Sequence, residues 1–155
     1  MVFKLVISPI SNLPLPGVTI IAYSPLGRGI MTGRYQSADD FEPGDFRKTA
    51  PRFNAENFPK NLELVRRFQE LATVKGVTPS QLVLAWVLAQ GDDFIPIPGT
   101  KRIKYLEENL GAANVTLTKD ELAEIRKIID SIEVHGDRYA AQSMRHLDPQ
   151  IENDS

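Results

Sequence analysis

Two short stretches of this chain carry residue types suited to phosphate. Ser24-Pro25-Leu26-Gly27-Arg28-Gly29 sets two glycines around an arginine. Glycine reaches positive φ at little steric cost and lets a ligand approach the backbone amides, while a planar guanidinium matches a phosphate with two parallel hydrogen bonds. The same residues also describe a sharp strand exit with a surface arginine. The second stretch is Gly99-Thr100-Lys101, followed by Arg102 and Lys104. Its spacing puts three cations in the first turn of a helix, where the macrodipole and the orphan amides already favour anions. A phosphate held by Gly99, Thr100 and Lys101 would offset that crowding. A solvated basic turn balanced by Glu107 and Glu108 is the competing reading.

Other chemistries are poorly provided for. The 155 residues contain no cysteine, which excludes disulfides, a thiolate nucleophile, iron–sulfur clusters and Cys-type zinc sites. Only His135 and His146 are available as imidazoles, so a multi-histidine metal centre or a Ser-His-Asp site would depend on the tail, and no metal is expected. Eighteen basic residues stand against 20 acidic ones, for a formal charge of -2. That balance argues against nucleic acid or an anionic membrane as partner. The opening segment has no apolar run long enough for a signal peptide or a span, so the expectation is a soluble, cytoplasmic protein.

Both stretches sit at the ends of apolar runs. Val18-Thr19-Ile20-Ile21-Ala22-Tyr23 is β-branched and nearly continuous, which predicts a strand, parallel and buried on both faces. Residues 24–59 follow without periodicity, as a long loop of the kind that serves as a lid or is disordered. A helix is predicted from Asn61, with Leu64 or Val65, Phe68, Leu71 and Ala72 on one face, and Gly76 ends it. Thr78-Pro79-Ser80-Gln81 has the form of a capping box, and the apolar body Leu82–Ala89, Trp86 included, predicts a helix wedged in the core. Phe94-Ile95-Pro96-Ile97-Pro98 predicts a second strand, and residues 101–113 a helix that turns Ile103, Leu106 and Leu110 inward. A second capping box at Thr118-Lys119-Asp120-Glu121 opens a last helix with Leu122, Ile125, Ile128, Ile129 and Ile132 on one side. From His135 the chain is polar and expected on the surface.

This order is α/β patterning with parallel strands, but two strands do not make a sheet of ordinary size. The motifs account for that. Ile21-Ala22-Tyr23-Ser24-Pro25-Leu26-Gly27-Arg28-Gly29 resembles the seventh barrel strand of an aldo-keto reductase and the loop beneath its cofactor. Ile95-Pro96-Ile97-Pro98-Gly99-Thr100-Lys101, with Leu106-Glu107-Glu108-Asn109-Leu110-Gly111-Ala112, is similar to the eighth strand and the adenosine-phosphate site. Thr78-Pro79-Ser80-Gln81 and Leu84-Ala85-Trp86 also fit. The pattern looks nearest to the branch that includes pyridoxal reductase-like enzymes. Residues 17–139 are expected to be a partial aldo-keto reductase domain, between a non-matching irregular lead, 1–16, and a polar tail, 140–155.

The resemblance implies the C-terminal part of a TIM (β/α)8 barrel, incomplete and carrying its last two strands. It implies an NADPH-dependent oxidoreductase of aldehydes and ketones. By position, Tyr23 would stack on the nicotinamide, and Ser24, Leu26, Gly27 and Arg28 would surround the pyrophosphate. Gly99, Thr100 and Lys101 would hold the 2'-phosphate, with Glu108 and Asn109 at the adenine. Tyr105 stands where many relatives carry Arg or Gln. The catalytic Asp, Tyr, Lys and His of the family come from the other half of the barrel, so no catalytic residue is expected here, and inactivity alone is. The lead suggests a truncated gene, an alternative start or a spliced product. The alternatives are a non-catalytic NADPH-binding or interaction module that docks on another chain over exposed barrel edges, and a non-functional fragment.

Overall fold

A computed structural model of the chain describes residues 18–144, so the expectations for residues 1–16, for His146 and for most of the tail lie outside the described residues. Two strands form where the apolar runs predict them, β1 at Ile20–Tyr23 and β2 at Phe94–Ile97. They pair in parallel, with Ile20 opposite Phe94, Ile21 opposite Ile95, Ala22 opposite Pro96 and Tyr23 opposite Ile97. Side chains alternate across a strand, so this register sorts them into two faces. Ala22 and Phe94 are buried on one, while Ile21, Ile95 and Ile97 are each about half exposed on the other. The expectation of strands buried on both faces is therefore corrected. Among the described residues the sheet has only these two strands, and no element covers the second face.

Helix α1 spans Phe58–Lys75 and starts three residues earlier than its periodicity indicates. The amide of Asn57 donates to the Asn54 side chain and the amide of Phe58 to the Asn54 carbonyl, which opens the helix ahead of Pro59. Its other end closes at Gly76, φ 72°, where the amides of Gly76 and Val77 donate back to the carbonyls of Thr73 and Ala72. That is a Schellman closure, and a side chain at position 76 would be strained in it. Helix α2, Pro79–Leu88, has the predicted capping box: the Thr78 hydroxyl accepts from the Gln81 amide, and the Gln81 side chain accepts from the Thr78 amide. Every residue from Leu82 to Val87 is buried, Trp86 among them, which confirms the core role there, whereas Leu88 and Ala89, at the end of the predicted body, are exposed where the helix stops.

Helix α3 spans Ile103–Gly111, continued by a 3-10 turn at Ala112–Asn114, and helix α4 spans Lys119–Ser131 from a capping box at Thr118. Ile125, Ile128 and Ile129 are buried as expected. Helix α3 is not oriented as expected. Ile103, Leu106 and Leu110 are 75%, 47% and 65% exposed, because the helix turns Glu108 and Ala112 towards α2 and leaves its apolar stripe outward.

The chain divides into two compact units, one made of residues 18–34 and 64–132, the other of residues 35–63 and 133–144. The second unit corrects two expectations. Its loop is not structureless, because Tyr35, Phe41, Phe53 and Phe58 pack ring to ring at 5.0–5.8 Å. Short 3-10 turns at Ala38–Asp40, Phe46–Thr49 and Pro51–Phe53 carry the backbone around this cluster. The Arg47 guanidinium lies 4.3 Å from the ring centres of both Tyr35 and Phe41 and pairs with Asp45 at 2.6 Å, which holds the Asp45 carboxyl below its ordinary range. Nor is the segment after His135 simply a surface tail. Buried Asn61 accepts from the His135 amide and donates to the His135 carbonyl, and Arg138 is buried; a short helix, α5, follows at Ala141–Met144.

In the first unit the Lys75 ammonium joins the Glu121 carboxylate at 2.7 Å, and this bond, before the Thr118 amide, holds the Glu121 pKa below its model-compound value of 4.5. A carboxyl whose pKa is depressed on folding stabilises the fold above its unfolded pKa and loses that contribution as pH falls through its folded pKa. Stability is therefore expected to drop on acidification below about pH 4.5, and Glu121→Gln, which keeps the cap, should flatten part of that drop. Thermal melts of both proteins between pH 7 and 3 check this, and parallel pH profiles would contradict it.

Candidate functional site

Parallel pairing puts the carboxyl ends of β1 and β2 side by side, about 4.8 Å apart by ordinary strand spacing. Both glycine-bearing loops leave from that edge. Tyr23 is the last residue of β1 and lies, 38% exposed, on the uncovered face with Ile21 and Ile97. Beyond it the backbone turns left-handed repeatedly, with φ 50° at Ser24, 57° at Gly27, 60° at Arg28 and 91° at Gly29. Buried Leu26 and Met31 anchor the turn, and the Leu26 carbonyl accepts from the amides of both Gly29 and Met31. A 3-10 turn, Gly27–Thr32, then packs against α2.

Glycine takes such angles freely, whereas an L-residue in the left-handed region costs roughly 1–2 kcal/mol. Arg28, at φ 60° and ψ 30°, carries that cost between two glycines.

The second loop is open. Nothing lies within 4 Å of where a Cβ on Gly99 would stand, so its backbone is reachable from solution. The Thr100 hydroxyl accepts from the Arg102 amide at 3.2 Å and donates to the Arg102 carbonyl at 3.1 Å, closing a tight turn into α3. Arg102 is the residue that caps α3. Lys101 and Arg102 thus precede the helix and Lys104 alone lies in its first turn, which corrects the crowding predicted for the three cations. No acidic residue balances them there, and all three side chains are exposed.

Tyr105, Glu108 and Asn109 follow on α3. Glu108 is held by α2: its Oε1 accepts from the Thr78 hydroxyl at 2.9 Å, and its carbonyl accepts from Gln81 Nε2 at 3.2 Å. Sequence reasoning gave Thr78 and Gln81 only a capping role and missed this link. Gly111 leaves room for the link, since a Cβ there would stand 2.6 Å from Gln81 Nε2.

The first unit thus brings Ser24, Leu26, Gly27 and Arg28 to the same sheet edge as Gly99, Thr100 and Lys101. Two glycine-bearing backbones, several cations and hydroxyls suit an elongated anion with more than one phosphate. Among the described residues no three side chains of metal-ligating type come together, and no single helix is long and apolar enough to cross a membrane.

Comparison with known proteins gives a consistent relationship. The sequence model of the Aldo/keto reductase family matches residues 10–130. The chain is 55% identical over 132 residues to aldo-keto reductase str7 of Strobilurus tenacellus, covering 85% of this chain and 39% of that protein. It is 59% identical over 122 residues to aldo-keto reductase yakc [NADP(+)] of Schizosaccharomyces pombe, covering 79% and 36%. Among solved structures it is similar to the thermostable aldo-keto reductase Tm1743, with a TM-score of 0.51 and 25% identity over 77% of this chain and 32% of the other. The glycerol dehydrogenase AKR11B4 from Gluconobacter oxydans gives a TM-score of 0.71 at 23% identity, over 86% and 41%, a likeness of fold. The chain therefore spans well under half the length of the relatives it matches.

The left-handed turn at Arg28 yields a direct test. Arg28→Gly should raise the unfolding free energy by up to about 1 kcal/mol of relieved strain, seen as a higher urea midpoint, and Arg28→Val should lower the midpoint, because β-branched residues tolerate that region least. Equal midpoints for the two variants would contradict the left-handed assignment.

Proposed function

The chain belongs to the aldo/keto reductase family, an oxidoreductase family whose solved members here are TIM barrels, and from that premise we propose that it supplies the cofactor-holding part of an NADP-dependent carbonyl reductase. On this reading β1 and β2 are the last two strands of the barrel, and residues 17–139 are its C-terminal portion. The observation that carries the reading is the common edge from which both glycine-bearing loops leave, since phosphate sites in TIM barrels form after the final two strands at the carboxyl end.

The residues divide the cofactor between them. Exposed Tyr23, at the end of β1, offers a ring face to the flat nicotinamide, which suits aromatic stacking. The left-handed turn at Ser24, Leu26, Gly27 and Arg28 takes the pyrophosphate, through its backbone amides and the Arg28 guanidinium. Gly99, Thr100 and Lys101 take the 2'-phosphate that distinguishes NADPH from NADH. Tyr105, Glu108 and Asn109 take the adenine. A bound dihydronicotinamide supplies hydride to a carbonyl carbon, and the carbonyl oxygen then needs a proton. No residue of this chain is assigned to deliver it.

The uncovered face of Ile21, Tyr23, Ile95 and Ile97, with the outward stripe of α3, supports the corollary that turnover needs the rest of the barrel, in the same polypeptide or on another chain. By itself the chain is expected to bind cofactor and not to reduce carbonyls. A non-catalytic binding module is the reading that survives if supplying the complementary barrel segment restores no activity.

Titration of NADPH fluorescence, with NADH as control and Lys101→Glu as second protein, tests the proposal. Reversing a charge at a phosphate removes a charge-assisted hydrogen bond of about 1.5–3 kcal/mol, so NADPH should bind roughly tenfold to a hundredfold more weakly to the variant. NADH should be little affected. Equal affinity of the wild type for both nucleotides, or an unchanged constant in Lys101→Glu, would overturn the assignment.

A further inference from the structure

The capping box of α2 makes hydrogen bonds that a helix cap does not need. We infer that Thr78 and Gln81 are positioning residues that set the Glu108 carboxylate for an amino donor on the purine, and so govern the choice of base. The inference rests on the cofactor reading above.

A capping threonine has one hydroxyl proton and two lone pairs. At Thr78 the Gln81 amide uses a lone pair at 3.2 Å, and the hydroxyl proton goes to Glu108 Oε1 at 2.9 Å. The Gln81 amide group is divided in the same way. Its oxygen accepts from the Thr78 amide at 3.1 Å, and its nitrogen donates to the Glu108 carbonyl at 3.2 Å. Two of these four hydrogen bonds close the cap, and the other two tie it to both the backbone and the side chain of one residue on α3. Gly111 leaves room for the Gln81 amide in this position, because a Cβ there would stand 2.6 Å from Gln81 Nε2.

Only one carboxylate oxygen is engaged by Thr78 in this arrangement, and a carboxylate accepts on both. Glu108 is half-buried, so its orientation is fixed by these contacts and not by solvent alone. A fixed, acceptor-only group selects a base whose edge donates, and rejects one whose edge presents a carbonyl oxygen. Adenine, with its exocyclic amine, is of the first kind; hypoxanthine, with an oxo group in that place, is of the second. A site built to pair a substrate amine discriminates because the mismatched partner leaves a polar group unpaired.

The test compares NADPH with its deamino analogue, in which hypoxanthine replaces adenine, by fluorescence titration. The wild type should bind NADPH about tenfold more tightly than the analogue, one charge-assisted hydrogen bond's worth. Thr78→Val removes the hydroxyl, and Thr78→Asp keeps an effective helix cap while removing the donor, so that a folded variant is at hand. In both, the preference should shrink to about threefold or less. Thr78→Ser should restore it. A purely structural role for Thr78 would weaken both nucleotides equally and leave the ratio unchanged, which would overturn the inference while the cofactor reading stood. A wild type that binds NADPH but does not discriminate against the analogue would do the same. Failure of the wild type to bind either nucleotide would remove both.

Discussion

Four residue pairs, from Ile20–Phe94 to Tyr23–Ile97, hold β1 and β2 in parallel, and the first unit is arranged around them. Antiparallel strands would send the two glycine-bearing loops to opposite ends of the sheet. Parallel strands need a crossover, and here it includes α1 and α2, with α2 packed on β2 and on the turn that follows β1. Its burial on every side from Leu82 to Val87 lets one ten-residue helix support β2, the turn after β1 and α3 at once. The sharp starts and stops matter for the same reason. The closure at Gly76 and the capping box at Thr78 turn the chain within a few residues, so α2 enters at a fixed place.

Among the described residues the same pairing leaves a face uncovered. Ile21, Tyr23, Ile95 and Ile97 stand on one side of the sheet, and Ile103, Leu106 and Leu110 form an outward stripe on α3. At about 25 cal/mol per Å2 of apolar surface, such faces are strongly favoured to be covered. The chain spans about two-fifths or less of the length of these relatives.

Much of this was legible in the sequence. The two apolar runs, the capping boxes at Thr78 and Thr118 and the stop at Gly76 are local signals, and each element appears where its signal stands. Burial was less legible, because it depends on what lies opposite. Ile103, Leu106 and Leu110 have the spacing of a core-facing stripe, yet α3 turns Glu108 and Ala112 to α2. The aromatic cluster of Tyr35, Phe41, Phe53 and Phe58 had no period to betray it, since its residues meet through turns. Of the candidate site, the loops could be read from glycine and charge. The link from Thr78 and Gln81 to Glu108 could not, because about 30 residues separate them and both seemed occupied by the cap.

The central claim is that the ends of β1 and β2 form one phosphate-binding edge. Backbone amide shifts in a nuclear magnetic resonance titration with NADP+ address it most directly, because they report which amides meet the ligand. The account predicts saturable shifts concentrated at Ser24, Leu26 to Gly29 and Gly99 to Tyr105, moving with a single dissociation constant. Shifts confined to one loop, or centred in residues 35–63, would contradict it.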